Sequence, residues 1–221
     1  FHLYYLVSRM RFSMIVCGID DAGRGSMVGP LVIAGVTIDK KNTKKLRSIG
    51  VQDSKKLSPK TREILYKKII EIVDDYYVVR IPPKTIDQNV FKHNLNHLEA
   101  KSMAKVIKKL NPQTAYVDSC DVDYKRFGKE ISLLTSNSKI ISRHHADSRF
   151  VVVAAASIIA KVSRDKSIHR LKKNYELGSG YPSDKKTVKC VKKLLLHNKQ
   201  SYLFIRMSWK PVQKIINKKL R

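Results

Sequence analysis

Four aspartates stand where this sequence could do chemistry: Asp20 and Asp21 side by side, Asp118, and Asp147. Each sits where a β-branched run ends or an apolar helix begins, and such ends are where an α/β sheet offers functional groups to a crevice. Gathered in one crevice, four carboxylates repel each other unless a cation offsets them. Hard divalent ions such as Mg²⁺ bind through a few carboxylates plus substrate phosphate oxygens. A pair of such ions can activate water and stabilise the leaving oxygen of a phosphodiester. Asp also forms turns and N-caps for purely structural reasons, and Asp147, just before an apolar helix, suits that role too. Scarcity favours the site, because 45 Lys and Arg face only 18 Asp and Glu, a net charge of +27.

Three further segments carry polar or aromatic groups that suit a polyanion. Gly23-Arg24-Gly25 opens a glycine-dense turn running to Pro30; it can close a hairpin, and it can also let backbone amides approach a sugar or phosphate. Asp53-Ser54-Lys55-Lys56-Leu57 precedes a helix start, so Lys55 and Lys56 can clamp a phosphate or simply be solvated. Gly178 to Asp184 is a turn-rich loop whose one aromatic, Tyr181, can stack on a nucleotide or plug the surface. His144 and His145 lack partner spacing and read as structural or phosphate-adjacent.

The elements that must position these groups follow from periodicity. Strands are expected over 14–19, 31–38, 75–81, 114–117 and 139–143, with Asp20-Asp21 and Asp118 at strand ends. A helix is expected from Ser58, as N-cap, to about residue 73, and an amphipathic one over 96–110. The stretch from Val151 to Ala160 is apolar on nearly every face, so a helix over 151–173 should be buried. A mixed sheet flanked by helices, an α/β fold, accounts for this order. Residues 166–221 hold sixteen Lys or Arg against Glu176 and Asp184. The expected organisation is therefore an extension at 1–13, a catalytic domain at 14–173 and a basic helical C-terminal segment at 174–221.

Composition narrows the class of partner. Apolar residues make up 43%, enough for a sizeable core, and a sequence pI near 10.1 points to nucleic acid as the partner. Three cysteines (Cys17, Cys120 and Cys190) without metal-ligand spacing suit a reducing, cytoplasmic setting. No apolar run reaches the roughly 18–20 residues of a membrane span.

The motifs, taken in order, resemble those of ribonuclease HII. The resemblance rests on Gly18-Ile19-Asp20-Asp21-Ala22-Gly23-Arg24-Gly25, Asp53 to Ser58, and Asn94-Leu95-Asn96-His97-Leu98-Glu99-Ala100. It continues through Val117-Asp118-Ser119-Cys120-Asp121, Ala146-Asp147, and Ala154 to Val162. Gly178 to Asp184 and Ser208-Trp209-Lys210 are similar to the archaeal branch, and about residues 14–211 are covered. The resemblance implies a ribonuclease-H-like fold, a five-stranded mixed sheet flanked by helices with a basic helical C-terminal part. It implies Asp20, Asp21, Asp118 and Asp147 as the acidic cluster, with two Mg²⁺ or Mn²⁺ ions. It makes Gly23, Arg24 and Gly25 the sensor of a ribose 2′-hydroxyl at an RNA–DNA junction. Tyr181 matches the tyrosine that stacks on the next deoxyribose.

The implied partners are RNA–DNA hybrids and duplex DNA containing ribonucleotides. The implied products are 5′-phosphate and 3′-hydroxyl ends, and the protein is expected to act as a monomer. Gln213-Lys214-Ile215-Ile216 lacks the aromatic pair of a sliding-clamp-binding motif. Two positions depart from the family pattern. Asp21 stands where Glu is usual, which shortens one ligand arm, and Ser26 stands where Pro is common, which should loosen the turn. A junction resolvase of the same fold, or a binder without catalysis, are the other readings; clustered carboxylates argue against the binder.

Overall fold

Strands β1 (Ile15–Ala22) and β2 (Leu31–Asp39) are buried along almost their whole length, as strands covered on both faces must be. They form an antiparallel hairpin in which Ile15 faces Asp39 and Ala22 faces Val32, so the glycine-dense turn is its connection. β3 (Asp75–Ile81) pairs antiparallel with β2, while β4 (Thr114–Asp118) and β5 (Lys139–Arg143) pair parallel on the other side. The order β3-β2-β1-β4-β5 is the expected mixed five-stranded sheet. The computed structural model describes residues 13–52, 57–197 and 203–218. Lys55 and Lys56 of the expected clamp, with Asp53 and Ser54, lie outside them, as do residues 1–12 of the expected extension.

A 3-10 turn (Lys40–Asn42) leads into α1 (Thr43–Ser48). α2 (Pro59–Ile72) starts as expected, with the Ser58 hydroxyl accepting from the Thr61 N–H at 3.1 Å and Pro59 in the first turn. α3 (Pro83–Val90) and α5 (Tyr124–Leu134) have no counterpart among the expected elements; between them lies α4 (Leu95–Leu110). The short α6 (Ala146–Arg149) precedes α7 (Val151–Lys172), and α8 (Lys185–His197) and α9 (Lys210–Asn217) follow.

The sheet has a core on each face. Val152, Ala155, Ile158 and Ile159 of α7 pack with α1 and α2 on one face, beside Val16 and Ala22. Met103, Val106 and Ile107 of α4 pack with Ile86 and Phe127 on the other, beside Cys17 and Ile19. α7 lies so close to β1 that a Cβ on Gly18 would come within 2.2 Å of the Val152 backbone. Only glycine permits that approach, and it brings the α7 side chains directly over β1.

A third cluster belongs to the C-terminal segment. Leu177, Val191, Leu195, Ile205 and Val212 pack with Ile168 of α7 and with Met27 and Val28 from the β1–β2 turn. Met27 and Val28 are fully buried. The basic tail is thus anchored on the glycine-dense turn itself.

Candidate active site

Strand alternation sends neighbouring aspartates to opposite faces of the sheet. Asp20 shares its face with Val16 and Ala22, under α7; Asp21 shares its face with Cys17 and Ile19, beside α4. Both lie inside β1 and not at its end, because β1 continues to Ala22 in register with β2. The expected strand end belongs instead to the β1–β4 pairing, whose last partners are Ile19 and Val117. Asp20 and Asp118 therefore emerge side by side where that pairing stops.

Asp20 is 4% exposed, and its Oδ1 accepts the Asp21 N–H at 2.7 Å. Burial, and after it the charge of Asp118, push its carboxyl up to about 7, opposed by Lys161 and by a hydrogen bond from Ser157. Lys161 Nζ donates to Ser157 Oγ at 2.8 Å, one turn apart on α7. Asp118 Oδ1 accepts the Ala146 N–H at 2.7 Å, which ties β4 to the first residue of α6. Asp147 follows at once and is buried. It is not the N-cap of α7; Phe150 holds that position without a side-chain bond.

Asp21 is half-buried, and its carboxyl is raised well above the ordinary range by burial, then by Glu99 and Asp20. Glu99 is a buried acid to which the sequence reading gave no role. It lies on the apolar side of α4, between Leu95 and Met103, and that placement was its only signal. Its two oxygens accept from Arg24 Nε, each at 3.0 Å, and one accepts from Cys120 Sγ. Arg24 Nη2 also donates to Asn96 Oδ1 at 2.6 Å. The Arg24 guanidinium thus points back into the protein. The groups that the turn offers outward are those of its backbone, and Gly25 faces open space.

The turn is joined to the Tyr181 loop by groups the sequence reading passed over. Arg164 of α7 is 4% exposed; its Nη2 donates to Ser26 Oγ at 2.7 Å and to Ser179 O at 2.6 Å. The Tyr181 ring lies 4.3 Å from the same guanidinium carbon. Ser26 Oγ is also 3.1 Å from Gly180 O, and Met27 N–H donates to that carbonyl at 2.8 Å. Ser26 N–H closes the turn onto Gly23 O at 3.2 Å. The expectation that Ser26 loosens the turn is therefore reversed, since a proline could make none of these bonds. From the far side, the fully buried Arg206 donates to Arg24 O at 2.8 Å and to Gly29 O at 3.0 Å. Asp184 accepts from Ser179, Lys186 and Thr187, and these bonds, the Ser179 N–H first, hold its carboxyl down to about 2.

The donor set fits a hard divalent ion, because the Asp118 carboxylate crowds the buried Asp20 and raises its cost of ionisation. Among the described residues, no three His, Cys, Asp or Glu yet converge as a finished cage.

A five-stranded mixed sheet with acids at the β1–β4 boundary defines a hydrolase of the ribonuclease-H-like fold. The crystal structure of ribonuclease H2 from Pyrococcus horikoshii matches with a TM-score of 0.85 and 44% identity, covering 94% of this chain and 100% of that one. Ribonuclease HII of Cenarchaeum symbiosum is 52% identical over 91% of this chain and 98% of its own. The ribonuclease HII family model matches residues 17–212. The chain belongs to the ribonuclease HII family. Membership makes it a metal-dependent ribonuclease H, an endonuclease for RNA paired with DNA. An Archaeoglobus fulgidus PCNA–RNase HII complex is also similar, at 38% identity and a TM-score of 0.80, covering 90% of this chain and 96% of that one. No described helix is long and apolar enough to cross a membrane.

Proposed function

We propose that this protein incises duplex DNA on the 5′ side of single embedded ribonucleotides, besides cutting RNA in hybrids. Asp20, Asp21, Asp118 and Asp147 are the proposed holders of two divalent ions, Mg²⁺ or Mn²⁺. Bound there, such ions would activate water and offset charge on the leaving oxygen. Water adds to phosphorus, the bond to O3′ of the upstream nucleotide breaks, and the ribonucleotide keeps the 5′-phosphate. Ser157 and the Asp21 N–H orient Asp20, the Ala146 N–H orients Asp118, and Lys161 lends positive charge beside them.

The observation that carries this reading is the single guanidinium of Arg164, which bonds both the glycine turn and the Tyr181 loop. Two readers spaced by one rigid group suit two adjacent sugars. Backbone amides of Gly23 and Gly25 meet the 2′-hydroxyl, and Tyr181 stacks on the following sugar, which must lack one. Arg24 supports the turn through Glu99 more than it touches substrate. The basic C-terminal segment, with Lys55 and Lys56, is proposed to hold the backbone of the hybrid.

A sliding clamp, as in the Archaeoglobus complex, is a further possible partner. Ile215 and Ile216 already pack in the third cluster, so 213–216 is not a free docking motif. Incubation with a duplex carrying one ribonucleotide, with and without Mg²⁺ or Mn²⁺, tests the whole reading. Metal-dependent incision 5′ of that residue is expected. Equal cutting of an all-DNA duplex would overturn it.

A further inference from the structure

Two residues of α7 mark out the proposed site. Ser157 stands at Asp20, where the scissile phosphate would lie. Arg164 stands beside Gly23 and under Tyr181. Seven residues of helix separate them, about 10 Å. A strand whose cut phosphate is at Asp20, whose ribose is at the turn and whose next sugar is at Tyr181 therefore advances along α7 towards its C-terminus. Beyond Arg164, α7 continues to Lys172 and floors an open groove of about 810 Å³ between the start of α2 and the 179–181 loop.

The floor of that groove is cationic. Lys166, His169, Arg170, Lys172 and Lys173 line it and are exposed. Of the two acids that line it, Asp165 is already taken by Arg62 at 3.6 Å and Arg164 at 3.2 Å, and Glu63 stands on the α2 side. Among the described residues no carboxylate forms an ion pair with Lys166, Arg170, Lys172 or Lys173. Cations near a helix C-terminus also complement its dipole, but these line a groove that leads out of the active site.

We propose that this half of α7 is a track for the deoxy part of the cut strand on the 3′ side of the ribonucleotide, held by its phosphates. The proposal rests on the reading of the turn and Tyr181 given above. From Arg164 to Lys172 is about 12 Å of helix, room for about two phosphates of one strand, whose backbone winds about an axis that rises about 3.4 Å per nucleotide. The track gives the enzyme a polarity: it grips the strand downstream of the junction and leaves the upstream side to other contacts.

The test measures affinity by fluorescence anisotropy in chelator, on duplexes with one ribonucleotide and a full-length complementary strand. In one duplex the cut strand ends a single nucleotide 3′ of the ribonucleotide; in a second it is shortened equally on the 5′ side; a third is complete. Wild-type protein is expected to lose about tenfold or more on 3′ shortening, and the salt slope to fall by about two. The combined Arg170→Ser, Lys172→Ser, Lys173→Ser variant should show the same loss on the complete duplex and bind the 3′-shortened one as wild type does. Equal loss on all three duplexes, or a loss that follows 5′ shortening, overturns the track. Wild-type shortening needs no variant, so misfolding cannot hide the answer. Mapping the incision on the complete duplex with Mg²⁺ checks the underlying reading separately. Correct incision with the wrong arm dependence sinks the track alone, and no incision at the ribonucleotide sinks the reading beneath it.

Discussion

Asp118 is steadied by one backbone donor, the Ala146 N–H, so Asp118→Asn keeps its shape and removes only the charge a cation needs. Single-turnover cleavage should be abolished while hybrid affinity in chelator stays at the wild-type value. A variant that cuts at the wild-type rate would remove Asp118 from the site. Asp20 sets a pH dependence of stability for the ion-free protein. Its folded carboxyl holds a proton up to about 7, against 3.8 as the ordinary value, chiefly because it is buried and then because Asp118 is near. Between those limits the folded state binds more protons than the unfolded chain, so stability at this site falls as pH rises from about 4 to 7. Thermal unfolding in chelator should show that decline, and Asp20→Asn should flatten it. Adding a divalent ion at pH 7 should reverse it, by about 2.7 kcal/mol at a hundredfold excess over its dissociation constant. Asp21 shares its face with Glu99, in a place already crowded with acid. Asp21→Glu should therefore slow cleavage, since an added methylene in a packed site costs about 1–3 kcal/mol. Asp21→Ala should slow it more, and steady-state kinetics in Mg²⁺ and in Mn²⁺ decide; near wild-type rates for Asp21→Ala in both ions would strike it from the ligands.

Helix α7 is the element on which most of the site depends, since Ser157, Lys161 and Arg164 all project from it. Its distance from the sheet is set by Gly18, where even a methyl group would meet the Val152 backbone. Gly18→Ala should destabilise the protein by about 3 kcal/mol or more in urea unfolding, because backbone, unlike a side-chain tip, cannot give way. A loss under 1 kcal/mol would mean that α7 can slide. The Tyr181 loop is a separate element with a separate signature. Tyr181→Ala should lower incision at a single ribonucleotide more than cutting of continuous hybrid, by the roughly 1–3 kcal/mol of a stacked ring; equal losses would make it a packing residue. Much of this was legible in the chain. The strands and α7 announce themselves through β-branched and apolar runs, and Ser58-Pro59 marks α2. Helices α3 and α5 were not legible, being short and mostly polar, with only Ile86 or Phe127 and Ile131 fixed in the core. Nor were Arg164, Arg206 and Ser26 as fastenings, because the bonds that join them to other elements include carbonyls and hydroxyls some 140 to 180 residues away. Nothing in local spacing reports such a bond. Glu99 could have been found, since an acid on the apolar stripe of an amphipathic helix needs an internal partner.

At the scale of the whole molecule, a charge of +27 and a carboxylate cluster divide the labour: cations gather the polyanion, and the acids hold the ion that cuts it. Binding should weaken steeply with salt, by about 0.9 in log–log slope per phosphate contacted on a B-form duplex. A titration in chelator that stays flat would mean the charge is not directed at substrate. The third cluster has a consequence for how the molecule comes into being. Met27 and Val28 leave the ribosome well before their packing partners, from Ile168 to Val212, are made. Chains emerge at about 5–20 residues per second, so the turn waits roughly ten to forty seconds for the last of the groups that shape it. Once Asp147 has been made, all four carboxylates exist while the groups that hold the sugar reader are still to come. A chain broken off before Arg206 would carry the acids and lack the buried cation that holds Arg24 and Gly29 in place. Selectivity thereby arrives later in synthesis than the acids, and a product that stops before Arg206 is left without the means to choose a strand.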